Sequence, residues 1–174
     1  MLLCVQLIAR TTSPGVLNTD GKSLVSGSDD RTVKLWDIQT GGVIRTFSGH
    51  TELVHSVPIS ADCTTIASGS WDNTTHLWNI QMGECYKILK QPNKVIHVSF
   101  SPTDPQYFLS VSNGRVWQWN INGHKVGPTL NGFTASFSPD GSQVISCHET
   151  TATVQNSSSG TIMAKFQVAY EKQN

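Results

Sequence analysis

His50, Ser68 and Asp72 are the residue types of a hydrolase triad. In such a triad a carboxylate orients an imidazole, and the imidazole takes the proton of an attacking hydroxyl. The other residues with chemistry to offer are the six histidines, at 50, 55, 76, 97, 124 and 148, and the four cysteines, at 4, 63, 85 and 147. No two cysteines form a CxxC pair, and the histidines scatter over different predicted strands and turns, so neither set has metal-site spacing. The phosphate-loop, dinucleotide, zinc-protease and nucleophile-elbow motifs are all missing. No cofactor and no metal is expected. Whether His50, Ser68 and Asp72 do chemistry or hold the fold together depends on the elements that carry them.

Those elements repeat. LVSGSDDRTVKLWDIQTGG (24–42), IASGSWDNTTHLWNIQMGE (66–84) and FLSVSNGRVWQWNINGH (108–124) align with one another. Trp36 and Trp78 are 42 residues apart, and Trp78 and Trp119 are 41 apart. A turn precedes each copy, at 18–22, 60–64 and 101–105. A fourth copy opens with FTASFSPDGSQVIS (133–146), where Asp140 and Gly141 repeat Asp20 and Gly21. Its continuation (151–166) has Gln155 at the Trp position. A fixed period of this length is the signature of a repeat architecture.

The repeated segments read as strands. LVSGS and VKLWDI alternate apolar and polar residues at period two. Between such segments stand Gly, Asp, Asn and Ser, the residues of tight hairpin turns. No window sustains the 3.6-residue apolar stripe of a helix. The pattern predicts strands near 53–59, 64–69, 74–79 and 85–89 in the second copy, and near 94–100, 106–111, 114–120 and 125–130 in the third. The fourth has them near 132–137, 142–147, 151–156 and 161–166. The first copy shows only three, near 22–27, 32–37 and 43–47, which makes about 15 in all.

Gly49-His50, Ser68-Gly69-Ser70, Asp72 and Trp78 in one continuous copy, with Trp36-Asp37 in another, resemble the WD-repeat family. The resemblance covers 16–168. It implies an all-β fold: a partial β-propeller of about four antiparallel four-stranded blades, at about 16–49, 50–90, 91–131 and 132–168, in a longer array. An atypical N-terminal segment (1–15) and a tail (169–174) flank them. By the same resemblance His50, Ser68, Asp72 and Trp78 form a structural hydrogen-bonded tetrad inside a blade, not a catalytic triad. Ser26, Asp30 and Trp36 match it in the first copy without the histidine. The third copy keeps Trp119 and Ser110, with Asn113 near the Asp position and Lys90-Gln91 where Gly-His belongs. In the fourth, Glu149 and Gln155 replace Asp and Trp.

The resemblance also implies a non-catalytic protein–protein interaction scaffold whose loops meet a partner protein. The partner-binding face takes the residue before each turn Asp, here Asp29, Trp71 and Ser112. It also takes Leu53, His55, Lys94, Ile96 and Phe133 at the starts of the first strands. Trp71 reads either as an interface anchor or as a cover over the neighbouring blade. Two other readings are a truncated or degenerate repeat fragment without independent function, and a propeller-fold enzyme, which would need an acid–base or metal cluster on the axis.

With 12 basic and 12 acidic residues the chain has no net charge, which argues against binding nucleic acid or an anionic membrane. The apolar run in MLLCVQLIAR has no charged residue before it, unlike a secretory signal, and no stretch has the roughly 18 apolar residues of a membrane span. A cytoplasmic or nuclear location is the expectation. Four blades should span an arc rather than a ring, which predicts self-association through open blade edges.

Overall fold

The computed structural model describes residues 16–17 and 21–167. The segment 1–15 and the tail 169–174 lie outside the described residues. Sixteen strands run through them in four sheets, each a sequential antiparallel meander, with no helix among the described residues. The first blade is β1 (Val16–Leu17), β2 (Ser23–Gly27), β3 (Thr32–Asp37) and β4 (Val43–Ser48). The second is β5 (Val54–Ser56), β6 (Thr65–Ser70), β7 (Thr74–Asn79) and β8 (Cys85–Lys90). The third is β9 (Val95–Phe100), β10 (Tyr107–Ser112), β11 (Arg115–Asn120) and β12 (Lys125–Asn131). The fourth is β13 (Thr134–Phe137), β14 (Gln143–His148), β15 (Thr151–Asn156) and β16 (Ile162–Gln167).

The pattern assigned three strands to the first blade; the fold has a fourth. Two residues are too few to show an alternation. They are a strand because β2 offers an open edge, on which Val16 pairs with Val25 and Leu17 with Leu24.

Within a blade the hairpins are set by short polar residues. Asp37 ends the Trp strand of the first blade, and its carboxylate accepts the Thr40 backbone N–H at 2.7 Å. Asn79, Asn120 and Asn156 do the same at the same turn in the other blades, to Met82, His124 and Ser159. The residue after each Trp position therefore closes a turn, as expected of Asx side chains.

Between blades the contact is mainly apolar. Val25, Val33, Leu35 and Phe47 of the first blade pack against Val54, Val57, Ile66 and Trp78 of the second. Ala67, Leu77 and Leu89 on the second blade's other face meet Val95, Val98, Phe100 and Phe108. Leu109, Val111 and Val116 meet Ala135 and Val144. In the inner blades neighbouring residues thus enter different cores, Ile66 and Ala67 on β6 and Phe108 and Leu109 on β10, which is the period of two written in the sequence. The approach is close enough to need glycine. A Cβ on Gly69 would lie 2.7 Å from the Val95 side chain, and one on Gly27 would lie 2.8 Å from Val54. Among the described residues there are three such cores for four blades, and none joins the fourth blade to the first.

Candidate functional site

Among the described residues, the second blade contains the one complete network. Trp78, buried on β7, donates its indole N–H to the Ser68 hydroxyl on β6 at 2.7 Å. The Ser68 oxygen lies 2.7 Å from His50 Nε2, and His50 Nδ1 lies 2.7 Å from Asp72. Ser68 accepts from the indole, so its own proton goes to Nε2. Nδ1 must then carry the imidazole hydrogen and donate it to Asp72. Asp72 also takes the Thr74 hydroxyl and backbone N–H and the Thr51 N–H, which knots the turn to the segment ahead of β5.

This chain of donors looks like a hydrolase triad and lacks its access. Ser68 is fully buried and its oxygen already faces two partners, so no substrate carbonyl can reach it. Burial holds the His50 imidazole below the ordinary histidine range, against the pull of Asp72. Burial pushes the Asp72 carboxyl up, but the hydrogen bonds from Thr74, His50 and Thr51 outweigh it and hold it below the usual carboxylate range.

His76 joins this group, although the sequence spacing scatters the histidines. Its ring stacks on His50 with centroids 3.8 Å apart and planes 20° apart. Ligand atoms of His50, Asp72 and His76 all lie within 4.8 Å of one another. Stacking nevertheless works against a shared ion. Imidazole lone pairs lie in the ring plane, so two nearly parallel rings aim them along separate layers, and both nitrogens of His50 are already engaged. Burial, with repulsion from His50, holds His76 down at about 4, and its Nδ1 is buried without a partner.

The other blades keep parts of the network. Trp36 donates to Ser26 at 2.9 Å, and Asp30 caps its own turn through Thr32. The Thr32 hydrogen bonds, against slight burial, lower Asp30 to about 2. In the third blade Trp119 donates to Ser110 at 2.8 Å, and Ser110 donates to Gln91 Oε1 at 3.0 Å. Gln91 therefore supplies the acceptor that His50 supplies in the second blade. It does so from one position earlier in the hairpin register, since Lys90 pairs with Thr74 as Ser48 pairs with Thr32. The Gln91 amide also donates to Thr75 of the second blade at 2.7 Å. The sequence signal was present at Lys90-Gln91 but read only as a lost histidine.

Asn113 is not at the Asp position. It forms with Gly114 a two-residue turn in which both φ values are positive, 53° and 68°, which leaves no site for a turn carboxylate. The same shortening corrects the placement of Ser112. It corresponds to Ser70, not to Trp71. Both hydroxyls donate inward to the carbonyl of the segment entering the blade, Ser70 to Leu53 and Ser112 to Asn93. Ser112 is fully buried and presents nothing to a partner.

The other residues that the sequence assigns to a partner face gather at one end of the blades, where first strands begin and the turns before the Trp strands lie. Trp71 is 37% exposed, with Lys94 Nζ 3.8 Å over its ring and His55 parallel to it at 6.4 Å. The His55 ring contacts the Ile96 carbonyl at 2.8 Å. Trp71 thus covers the next blade and still shows a face to solvent. Phe133 is 50% exposed, stacks on His148 at 4.9 Å and lies over the Gly114 turn. His148 is a member of this surface that the sequence reading missed. Asp29 is exposed beside Asp30, and Leu53 is half-buried.

Comparison with known proteins follows the same lines. The model of the WD domain, G-beta repeat, matches residues 12–37 and 41–79. The U3 small nucleolar RNA-associated protein 15 homolog of Xenopus tropicalis is 45% identical over 48 residues, 28% of this chain and 9% of that protein. Nuclear distribution protein PAC1 of Arthroderma otae is 46% identical over 44 residues, 25% of this chain and 10% of that protein. The matches thus span about a tenth of these relatives' lengths. The β-propeller domain of Cps50 (Swd1) from Myceliophteria thermophila superposes with a TM-score of 0.82 at 19% identity, over 91% of this chain and 55% of that one. The shared fold is a β-propeller, and this chain has the extent of just over half of it.

Proposed function

Because this chain carries WD repeats and folds as β-propeller blades, we propose that it is a non-catalytic scaffold that binds a protein partner through the rim face around Trp71. The observation that carries the reading is the Trp71, Lys94 and His55 cluster, with Phe133 and His148 at the same end of the blades. A half-exposed Trp with a cation over its ring is partly ordered before binding, so less side-chain entropy is lost on contact. Aromatic anchors of this kind dominate interface energetics. Asp29, Leu53, Ile96 and the charges near them form the polar and apolar surround. We assign no catalysis to His50, Ser68 and Asp72, whose atoms serve the blade interior. The nuclear and nucleolar words in the relatives' names support a place inside the cell, in cytoplasm or nucleus.

A photo-crosslinking residue placed at Asp29, on the proposed face and outside the Trp71 cluster, and another at Thr40, at the opposite end of the blades, test this reading. Saturable capture of one protein at position 29 alone, lost in Trp71→Ala and Phe133→Ala without a change in melting temperature, is the expected result. Equal capture at both ends would sink it, and a melt without a cooperative transition would favour the degenerate-fragment reading.

A further inference from the structure

The fourth blade repeats the geometry of the other three and lacks their ring. Ser146 sits on β14 at the register of Ser26, Ser68 and Ser110, and Gln155 sits on β15 opposite Val144, as Trp78 sits opposite Ile66. In the first three blades the serine oxygen accepts an indole N–H at 2.7–2.9 Å. Ser146 is 1% exposed and its hydroxyl has no partner. The second source of a partner is also missing. Gly132 occupies the register position of Gln91 and has no side chain to send, and it packs close enough that a Cβ there would lie 3.0 Å from that of Ser146.

A pocket of about 250 Å³, open to solvent on one side, lies at this point, lined by Ser146 and Gln155, with Pro128, Leu130 and Ile162 as apolar lining and Thr153 and Lys165 among the polar lining. Leu130 holds the register of Phe47, the residue whose ring meets Trp78 at 5.6 Å in the second blade. The pocket thus keeps apolar lining and the oxygen acceptor of an indole socket, with Gln155 and other polar groups beside them. Its volume exceeds the roughly 150 Å³ that admits a benzene ring in an engineered core. Gln155, an unbranched chain, has rotamers that swing it aside.

We infer that this socket binds a planar aromatic heterocycle of indole size that carries a ring N–H, the N–H donating to Ser146. An apolar ring alone would fill the space and leave the buried hydroxyl unsatisfied, so the site discriminates by the donor.

The test uses the full chain and two probes of nearly equal shape, indole and indene, followed by calorimetric titration and by the NMR shifts of Ser146 and Ile162. Indole should bind saturably, about 5-fold tighter than indene, the ratio that one hydrogen bond of ordinary net strength yields. Ser146→Ala removes only an unsatisfied hydroxyl and should still fold; it should bring the two affinities together. Gln155→Trp should raise the melting temperature and abolish indole binding, because its own ring fills the socket. No saturable binding of indole, equal affinity of the two probes for the native chain, or indole binding unchanged in a folded Gln155→Trp would each overturn the inference.

Discussion

Gln91 joins two blades: its amide donates to Thr75 of the second at 2.7 Å, while its Oε1 accepts from Ser110 of the third at 3.0 Å. In the second blade the corresponding histidine spends both nitrogens within its own blade. One polar side chain thus does in the third blade the work of a histidine and adds a tie to the neighbour. Gln91→Ala strands two buried hydroxyls and should cost about 1–3 kcal/mol of stability. Urea unfolding measures it, and a loss under about 0.5 kcal/mol would mean the tie is not maintained in solution.

Asp72 and Asp30 hold the same turn position but not the same partners. Asp72 accepts from His50, Thr74 and Thr51, whereas Asp30 is exposed and serves its own turn and Lys34. Asp72→Ala should destabilise by about 1–3 kcal/mol, because it leaves the buried His50 donor unpaired. Asp30→Ala should cost clearly less, since exposed pairs contribute little. Equal losses in parallel denaturation curves would show that the histidine is not what separates the two sites.

The stacked His50–His76 pair predicts acid sensitivity. Both imidazoles titrate below the ordinary value of 6.5, His76 at about 4. Between pH 6.5 and 4 the unfolded chain binds protons that the folded chain refuses, so stability falls as pH drops through this window. The coupled pair should contribute a loss on the order of 3 kcal/mol by pH 4, since each pKa step is worth about 1.4 kcal/mol. The slope of stability against pH should flatten in His76→Gln. A native chain equally stable at pH 7 and pH 4 would contradict the buried neutral pair.

The outer face of the fourth blade predicts association between copies of the isolated chain. Ile145 has the register of Leu109, which is fully buried beneath the fourth blade, yet Ile145 is 41% exposed. Phe166 is 57% exposed and has the register of Phe47, the partner of Trp78. Trp36, half-buried on the first blade's outer face, has the register of Trp78. Phe166 of one copy laid on Trp36 of another would repeat the core between the first two blades. Sedimentation over a range of concentrations should show self-association, weakened by Phe166→Lys. A monomer at every concentration would rule it out.

The amino-acid sequence by itself determined the repeat, the strands and the two-sided character of each blade. Those properties are local or periodic. A strand alternates at two, a turn needs Asn, Asp or Gly within a few residues, and a Trp every 41 or 42 residues needs no tertiary information to be seen. The interior tetrad of the second blade was legible for the same reason, each member standing at its repeat position. Only the tertiary structure decided what the departures from the repeat mean. Gln91 became a substitute rather than a loss because a glutamine is long enough to reach Ser110 from a position one residue early. Ser112 points inward because it stands at the position of Ser70, and the two-residue Asn113-Gly114 turn leaves no counterpart of Trp71 in the third blade. Val16–Leu17 became a strand only because an edge was there to pair with. The stacking of His50 on His76, and the socket beside Ser146, depend on which side chains from separate strands face one point. Distances of that kind are set by how blades pack, and sequence spacing along the chain does not carry them.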